Sequence, residues 1–293
     1  MFFLQILLHS LVVGTQVVLL AVPLYLVYSS SKIFHLGLGA TGISVAYALW
    51  FALKSGWSLP MAIIFALICA IVLGILSFAL LEKLAKKKEH LFGLLVSFSF
   101  GLCLEAIVAI MFGTDGKFFL TTPLPTIRFS ELYLTFPGVA TLIAGVILSV
   151  LFLIIVAKTP WGRKMKAVSE NSYLLASLSF NAGTVRLFVL IIASVLAGFV
   201  GIMTTLNSNL TPNAGFSVIV LAFIALLVGG VNSLKGTILA SYIVVLIPEL
   251  IVGLSSGQYS ISLSWKMVIV FVVAAIFLTW KPNGLLTRKA RVE

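Results

Sequence analysis

FPGVATLIAGVILSVLFLIIVAKTPWGRKMKAVSEN, residues 136–171, sets two chemistries side by side. Positions 136–157 carry no charge, whereas Lys158, Arg163, Lys164 and Lys166 follow within a few residues. A helix needs about 20 mostly apolar residues to cross roughly 30 Å of hydrocarbon. The first part therefore reads as a transmembrane helix and the second as the polar ground beyond its end.

The same alternation recurs along the chain. Apolar runs are expected at 4–28, 35–53, 60–81, 91–112, 136–157, 185–206, 217–230, 236–253 and 265–280. Several are short enough to be partial, tilted or re-entrant helices. Of the 293 residues 61% are hydrophobic and only 9% charged, with a mean hydropathy of +1.22, which excludes an ordinary soluble domain. Lipid leaves helices and closed barrels as the spanning structures, and barrel alternation is missing. The expected fold is all-α: one polytopic bundle over residues 1–293, with eight or nine spans and a cytoplasmic loop at 158–184.

The formal charge of +11 is no sign of nucleic acid, because the cations sit between apolar spans. Lys83, Lys86, Lys87 and Lys88, the four cations of 158–184, and Lys281, Arg288, Lys289 and Arg291 mark three segments as cytoplasmic. Alternation then places 113–135, with Pro123 and Pro125, outside, the N-terminus outside and the C-terminus inside, in an inner-membrane setting. Lys54, Lys117, Arg128 and Lys266 fall on the far side. MFFLQILLHS lacks the basic start of a cleavable leader and reads as the beginning of the first span. Cys69 and Cys103 lie in apolar segments as packing residues. No internal repeat is legible.

Chemistry for catalysis is sparse. GTDGK at 113–117 is too short for a phosphate-binding loop, and neither H-E-x-x-H nor G-x-S-x-G occurs. His9, His35 and His90 are scattered, so neither a metal site nor an enzymatic activity is expected. Glu105 and Glu249 are the acids inside expected spans, and a carboxylate in hydrocarbon is costly enough to suggest function. Glu249 follows Pro248, which frees backbone groups and can kink the helix. Small residues, as in Ala70-x-x-x-Gly74 and Ala197-x-x-x-Gly201, mark close helix crossings, while Gly229–Gly230 marks a path, hinge or packing position.

The polar stretch itself reads as a capped amphipathic helix. Thr159 can cap, Pro160 suits the first turn and Gly162 permits close approach. Met165, Val168, Leu175 and Leu178 share one face, leaving Arg163, Lys166, Glu170 and Asn171 for polar contacts. Such a helix either docks into a partner's groove or rests on anionic headgroups.

Residues Thr159, Gly162, Arg163, Ala167, Val168, Glu170, Asn171 and Ala176 resemble the T-x-x-G-R, A-V, E-N pattern of the cytoplasmic coupling loop in branched-chain amino-acid ABC transporter permeases. Ser179 departs from the glycine common there. Gly229, Gly230, Ser233 and Gly236 resemble that family's G-G-x-x-S-x-x-G segment, and KPNGLL, 281–286, its closing P-x-G-L signature. HLGLGATGISVAYA, 35–48, resembles the family's S-L-G-x-G-A…A-Y segment through Leu36, Gly37, Gly39, Ala40, Ala46 and Tyr47, with departures at His35 and Leu38.

The resemblance implies a permease subunit with no cofactor of its own, ATP and magnesium being held by a partner. It implies a second homologous permease chain or a second copy, two cytoplasmic ATPase subunits and an extracytoplasmic substrate-binding protein docking on 113–135 and 254–264. The solute would be leucine, isoleucine or valine, or else urea, an amide or another amino acid. Thr159, Gly162, Arg163, Ala167, Glu170 and Asn171 would couple to the ATPase. His35, Gly37, Gly39, Tyr47, Glu105, Gly229, Gly230 and Glu249 would be path or hinge positions. Two rival classes remain: a stand-alone secondary transporter or channel using Glu105 or Glu249, and a membrane scaffold.

Overall fold

A computed structural model describes residues 2–119, 126–129, 132–170, 181–254, 262, 265–282 and 284–286, with backbone alone for 2, 128, 129, 166, 169, 170 and 254. The expectations for Pro123, Pro125, Asn171, Leu175, Ala176, Leu178, Ser179, most of 255–264 and the basic tail lie outside these residues.

Ten helices and one hairpin form among them. They are α1 (Phe2–Ser31), α2 (Leu38–Lys54), α3 (Leu59–Lys87), α4 (His90–Phe112), β1 (Thr126–Phe129), β2 (Leu132–Thr135), α5 (Phe136–Lys158), α6 (Pro160–Glu170), α7 (Ala182–Asn207), α8 (Ala214–Gly229), α9 (Leu234–Leu254) and α10 (Lys266–Trp280). All nine expected spans are helices, most with ends within three residues of the sequence reading. Helix α3 runs further, to Lys87, and so takes in Glu82 and three of the four lysines assigned to a loop. The antiparallel β1–β2 pair, in register Thr126↔Thr135, had no counterpart in the sequence reading.

Six helices, α1, α3, α4, α5, α7 and α9, are long and apolar enough to cross a membrane. The chain is a multi-pass membrane protein with an all-α bundle. Helix α1 is its axis: Val17–Val22 and Leu24–Val27 are buried among α5, α7, α8 and α9. The outer faces of α3, α4, α5 and α10 expose Ile63, Ile110, Val146 and Phe271, as a lipid-facing surface should.

The shorter α2 and α8 explain the architecture. At about 1.5 Å per residue, their 17 and 16 residues fall short of roughly 30 Å. Each begins inside the bundle. His35, just before α2, reaches Ser77, which lies ten residues, roughly 15 Å, from the end of α3. The start of α8 meets the start of α2, where a Cβ on Gly39 would lie 2.5 Å from the Gly215 carbonyl oxygen. Only glycine permits that crossing.

Around this crossing the chain repeats itself at an offset of 176 residues. The turn bond from Leu38 N–H to the His35 carbonyl has its equivalent from Ala214 N–H to the Thr211 carbonyl. Tyr47 Oη–H donates to the Leu210 carbonyl at 3.2 Å, and the equivalent pair, Phe223 and Phe34, packs edge to face at 5.1 Å. Helices α1–α4 thus correspond to α7–α10. The halves run in opposite directions: α1 ends, and α7 begins, where Arg186 Nε–H donates to the Ser30 carbonyl. This inverted repeat corrects the sequence reading, which found none. It is held in backbone geometry and not in residue identity, since Tyr47 answers to Phe and Phe34 to Leu.

Substituting Gly39 by Val should drive α2 from α8 and cost about 1–3 kcal/mol. Thermal unfolding of the purified chain should detect this, with Ile110→Val, 85% exposed, as an unchanged reference.

Candidate functional site

Two regions collect the residues singled out by sequence: the α5–α6 corner and the interrupted helices. At the corner, Thr159 N–H and Oγ1–H both donate to the Ile155 carbonyl, at 3.2 and 2.6 Å. Gly162 N–H donates to Thr159 Oγ1 at 3.3 Å. Pro160 occupies the start of α6, where its missing N–H is no loss. A Cβ at Gly162 would run into the Val156 backbone and the Ile155 carbonyl, so this position sets how tightly α6 folds back on α5. Thr159 caps, Pro160 opens the first turn and Gly162 permits close approach, as the sequence reading expects.

Met165 and Val168 are buried, and Trp161 packs edge to face on Phe188 of α7 at 5.9 Å. Arg163 is exposed and Ala167 half-buried. Glu170 ends α6, its side chain undescribed, and Asn171 lies outside the described residues. The result is a short helix clamped on its apolar side with Arg163 exposed.

His35 lies at the other region, 1% exposed, between α3 and α4. Its Nδ1 is 2.9 Å from Ser97 Oγ and its Nε2 is 3.1 Å from Ser77 Oγ. Ser77 donates its own proton to the Leu73 carbonyl, so Nε2–H donates to Ser77. Ser97 Oγ accepts Gly37 N–H at 3.2 Å and donates to Nδ1. One neutral tautomer satisfies every group, and the imidazole locks the break before α2. Gly37 is held there by close contact with the Ser97 carbonyl and Phe100. Tyr47 is buried on α2 and stacks on Phe112 at 5.2 Å.

Gly229 and Gly230 do not mark the mid-bundle break. They close α8 at the end of the bundle that carries the α5–α6 corner. Gly230 has φ +96°, and Ser233 caps α9 by accepting Gly236 N–H at 3.1 Å. Gly284, φ +86°, packs on Gly230, and Leu285 N–H donates to the Val228 carbonyl at 3.0 Å. The two glycine motifs, some 50 residues apart in sequence, thus form one knot.

The acids resolve differently. Glu105 borders a hollow of about 40 Å³ with Leu36, Gly101 and Phe216, little more than one water's share of liquid volume. Glu249 is 8% exposed, pairs with Lys266 of α10 and stands 3.8 Å from His9 Nε2. It therefore straps α1, α9 and α10 together.

Sequence reasoning missed a further pair. Arg186 Nη1–H donates to both Glu82 carboxylate oxygens at 3.2 Å, with the residues 5% and 8% exposed. Lys86 adds a contact at 3.3 Å from the surface. The pair joins α3, α7 and the end of α1 beside the corner. An arginine inside an expected span was the available signal.

Arg186→Met should cost about 3–5 kcal/mol, because it strands a buried carboxylate. Adding Glu82→Met should restore most of the loss, and unfolding midpoints of the two variants measure the difference.

Comparison with known proteins places these features. Residues 6–278 match the family described as branched-chain amino acid transport system / permease component. A probable branched-chain amino acid transport permease protein LivH of Methanocaldococcus jannaschii is 23% identical over 94% of this chain and 90% of its own length. The high-affinity branched-chain amino acid transport system permease protein LivH of Escherichia coli is 22% identical over 98% and 96%. No solved structure matches. The chain belongs to the branched-chain amino acid transport permease family.

Proposed function

We propose that this chain is the permease subunit of an ATP-binding-cassette importer of leucine, isoleucine and valine. The observation that carries the reading is the capped, basic α6 clamped across α5 and α7. A separate ATPase subunit would dock on the exposed Arg163 face. Its movement would pass through the tight Gly162 corner into α5 and through Trp161 and Phe188 into α7. An apolar cavity of about 330 Å³ between Leu26, Phe152, Met165 and Phe188 gives α6 room to shift.

Inverted repeats joined by interrupted helices suit alternating access, in which one half rocks against the other. The Gly39–Gly215 crossing, where the two backbones meet directly, is the pivot for that motion. A second homologous permease chain, or a second copy, would pair with this one, and a soluble receptor would deliver solute. The lysine-bearing end, with Lys83, Lys86, Lys87 and Lys158, faces the cytoplasm, and the β1–β2 hairpin faces outward in the inner membrane. ATP and magnesium stay on the partner.

Arg163→Glu tests the coupling. It lies on an exposed surface, so membrane insertion and thermal stability should be unchanged, while receptor-dependent leucine uptake should fall tenfold or more. Wild-type uptake by this variant contradicts a docking role for the Arg163 face of α6.

A further inference from the structure

A cavity of about 300 Å³ opens between α1, β2 and α7 at the hairpin end. It would hold about ten waters at roughly 30 Å³ each, and it stands at the small end of the range for ligand pockets. Gln16 lies in its lining. This side chain is 7% exposed and sits one residue before the fully buried Val17 and Val18. It makes no hydrogen bond to a described residue, and neither does the hydroxyl of Thr204, another lining residue.

The surrounding polar groups are already used. Thr135 Oγ1–H donates to Asn207 Oδ1 at 2.6 Å, and Asn207 Nδ2–H to the Met203 carbonyl at 3.0 Å. Gln5 exchanges hydrogen bonds with the Tyr133 backbone at 3.1 and 3.3 Å. Those pairs build the wall and leave Gln16 lining the space without a described partner, while the unbonded Thr204 hydroxyl is buried within the wall. A polar side chain recessed into an axial helix of Val and Leu, with no described partner, calls for a polar occupant of the cavity it lines.

The chemistry of that occupant follows from the lining. Gln16 offers two N–H donors and a carbonyl acceptor. Val12, Val13 and Leu134 supply an apolar flank. Of the two ionisable side chains in the lining, Tyr133 is a phenol, and His9 is turned largely to solvent with Glu249 3.8 Å away. A net charge on the solute would find no counter-ion within. A small net-neutral solute with a polar head and an aliphatic body fits.

We propose that this cavity is the receiving site for solute entering the permease at the hairpin end, and that Gln16 is its specificity residue. In the importer reading, on which this proposal rests, the solute is an aliphatic amino acid as its zwitterion. Its carboxylate takes the N–H donors of Gln16, and its ammonium group faces the Gln16 carbonyl. Neutral partners hold the solute weakly enough to release it.

The test uses the assembled transporter in lipid vesicles, with radiolabelled leucine and, separately, isobutyramide. Gln16→Leu keeps the volume and removes the amide, Val13→Phe fills the cavity, and Ile110→Val on the lipid face is the reference. Expected are intact assembly, leucine uptake reduced tenfold or more in the first two variants, and a changed leucine-to-isobutyramide preference in Gln16→Leu. Wild-type rates and preference in Gln16→Leu, or wild-type uptake in Val13→Phe should the first variant fail to assemble, overturn the site. Absence of ATP-dependent uptake by the wild-type assembly overturns the importer reading itself and is told apart by that measurement.

Discussion

Two helices that begin in the middle of an apolar bundle must satisfy their first N–H groups there, and the rest of the structure follows from how they do it. Lipid and packed side chains offer no water to the free ends of α2 and α8. The solution is local: tight turn bonds from Leu38 to His35 and from Ala214 to Thr211, with Ser97 accepting Gly37 N–H. Glycines at 39 and 215 then let the two starts touch. The His35–Ser77–Ser97 network fixes one start against α3 and α4, and Tyr47 fixes the segment leading into the other.

From this crossing the two halves spread in opposite directions. Each half places an acid on its third helix opposite a base near the start of the other half's first helix: Glu82 with Arg186, and Glu249 with His9. One strap therefore sits toward each end of the bundle, while the middle is held by close backbone packing. Gly42 on α2 faces Ala197 and Gly201 of α7, and Gly74 on α3 faces Leu190 and Ile191.

Much of this was legible in the sequence because hydrocarbon imposes long apolar runs and loops collect charge. The spans, the Thr159–Pro160–Gly162 corner and the small-residue crossings followed from local rules. What was not legible depends on contacts between distant segments. Glu82 looked like part of a lysine-rich loop until α3 carried it inward to Arg186. Of the path, hinge and packing roles open to Gly229–Gly230, folding shows the packing, against Gly236 and Gly284 at the end of α8, while helices begin inside the bundle at Gly37–Gly39 and Asn213–Gly215. The repeat was invisible because packing volume, not residue identity, is kept between Tyr47 and Phe223. Gln16 drew no notice in the sequence, since only folding reveals that no described residue bonds it.

The most direct measurement is gentle detergent purification of this chain from its own membrane, with mass spectrometry of what accompanies it. The account predicts an ATPase and a permease partner, either a sister chain or a second copy of this one, in stoichiometric amounts. A chain that emerges alone and still moves leucine in vesicles without ATP would contradict it.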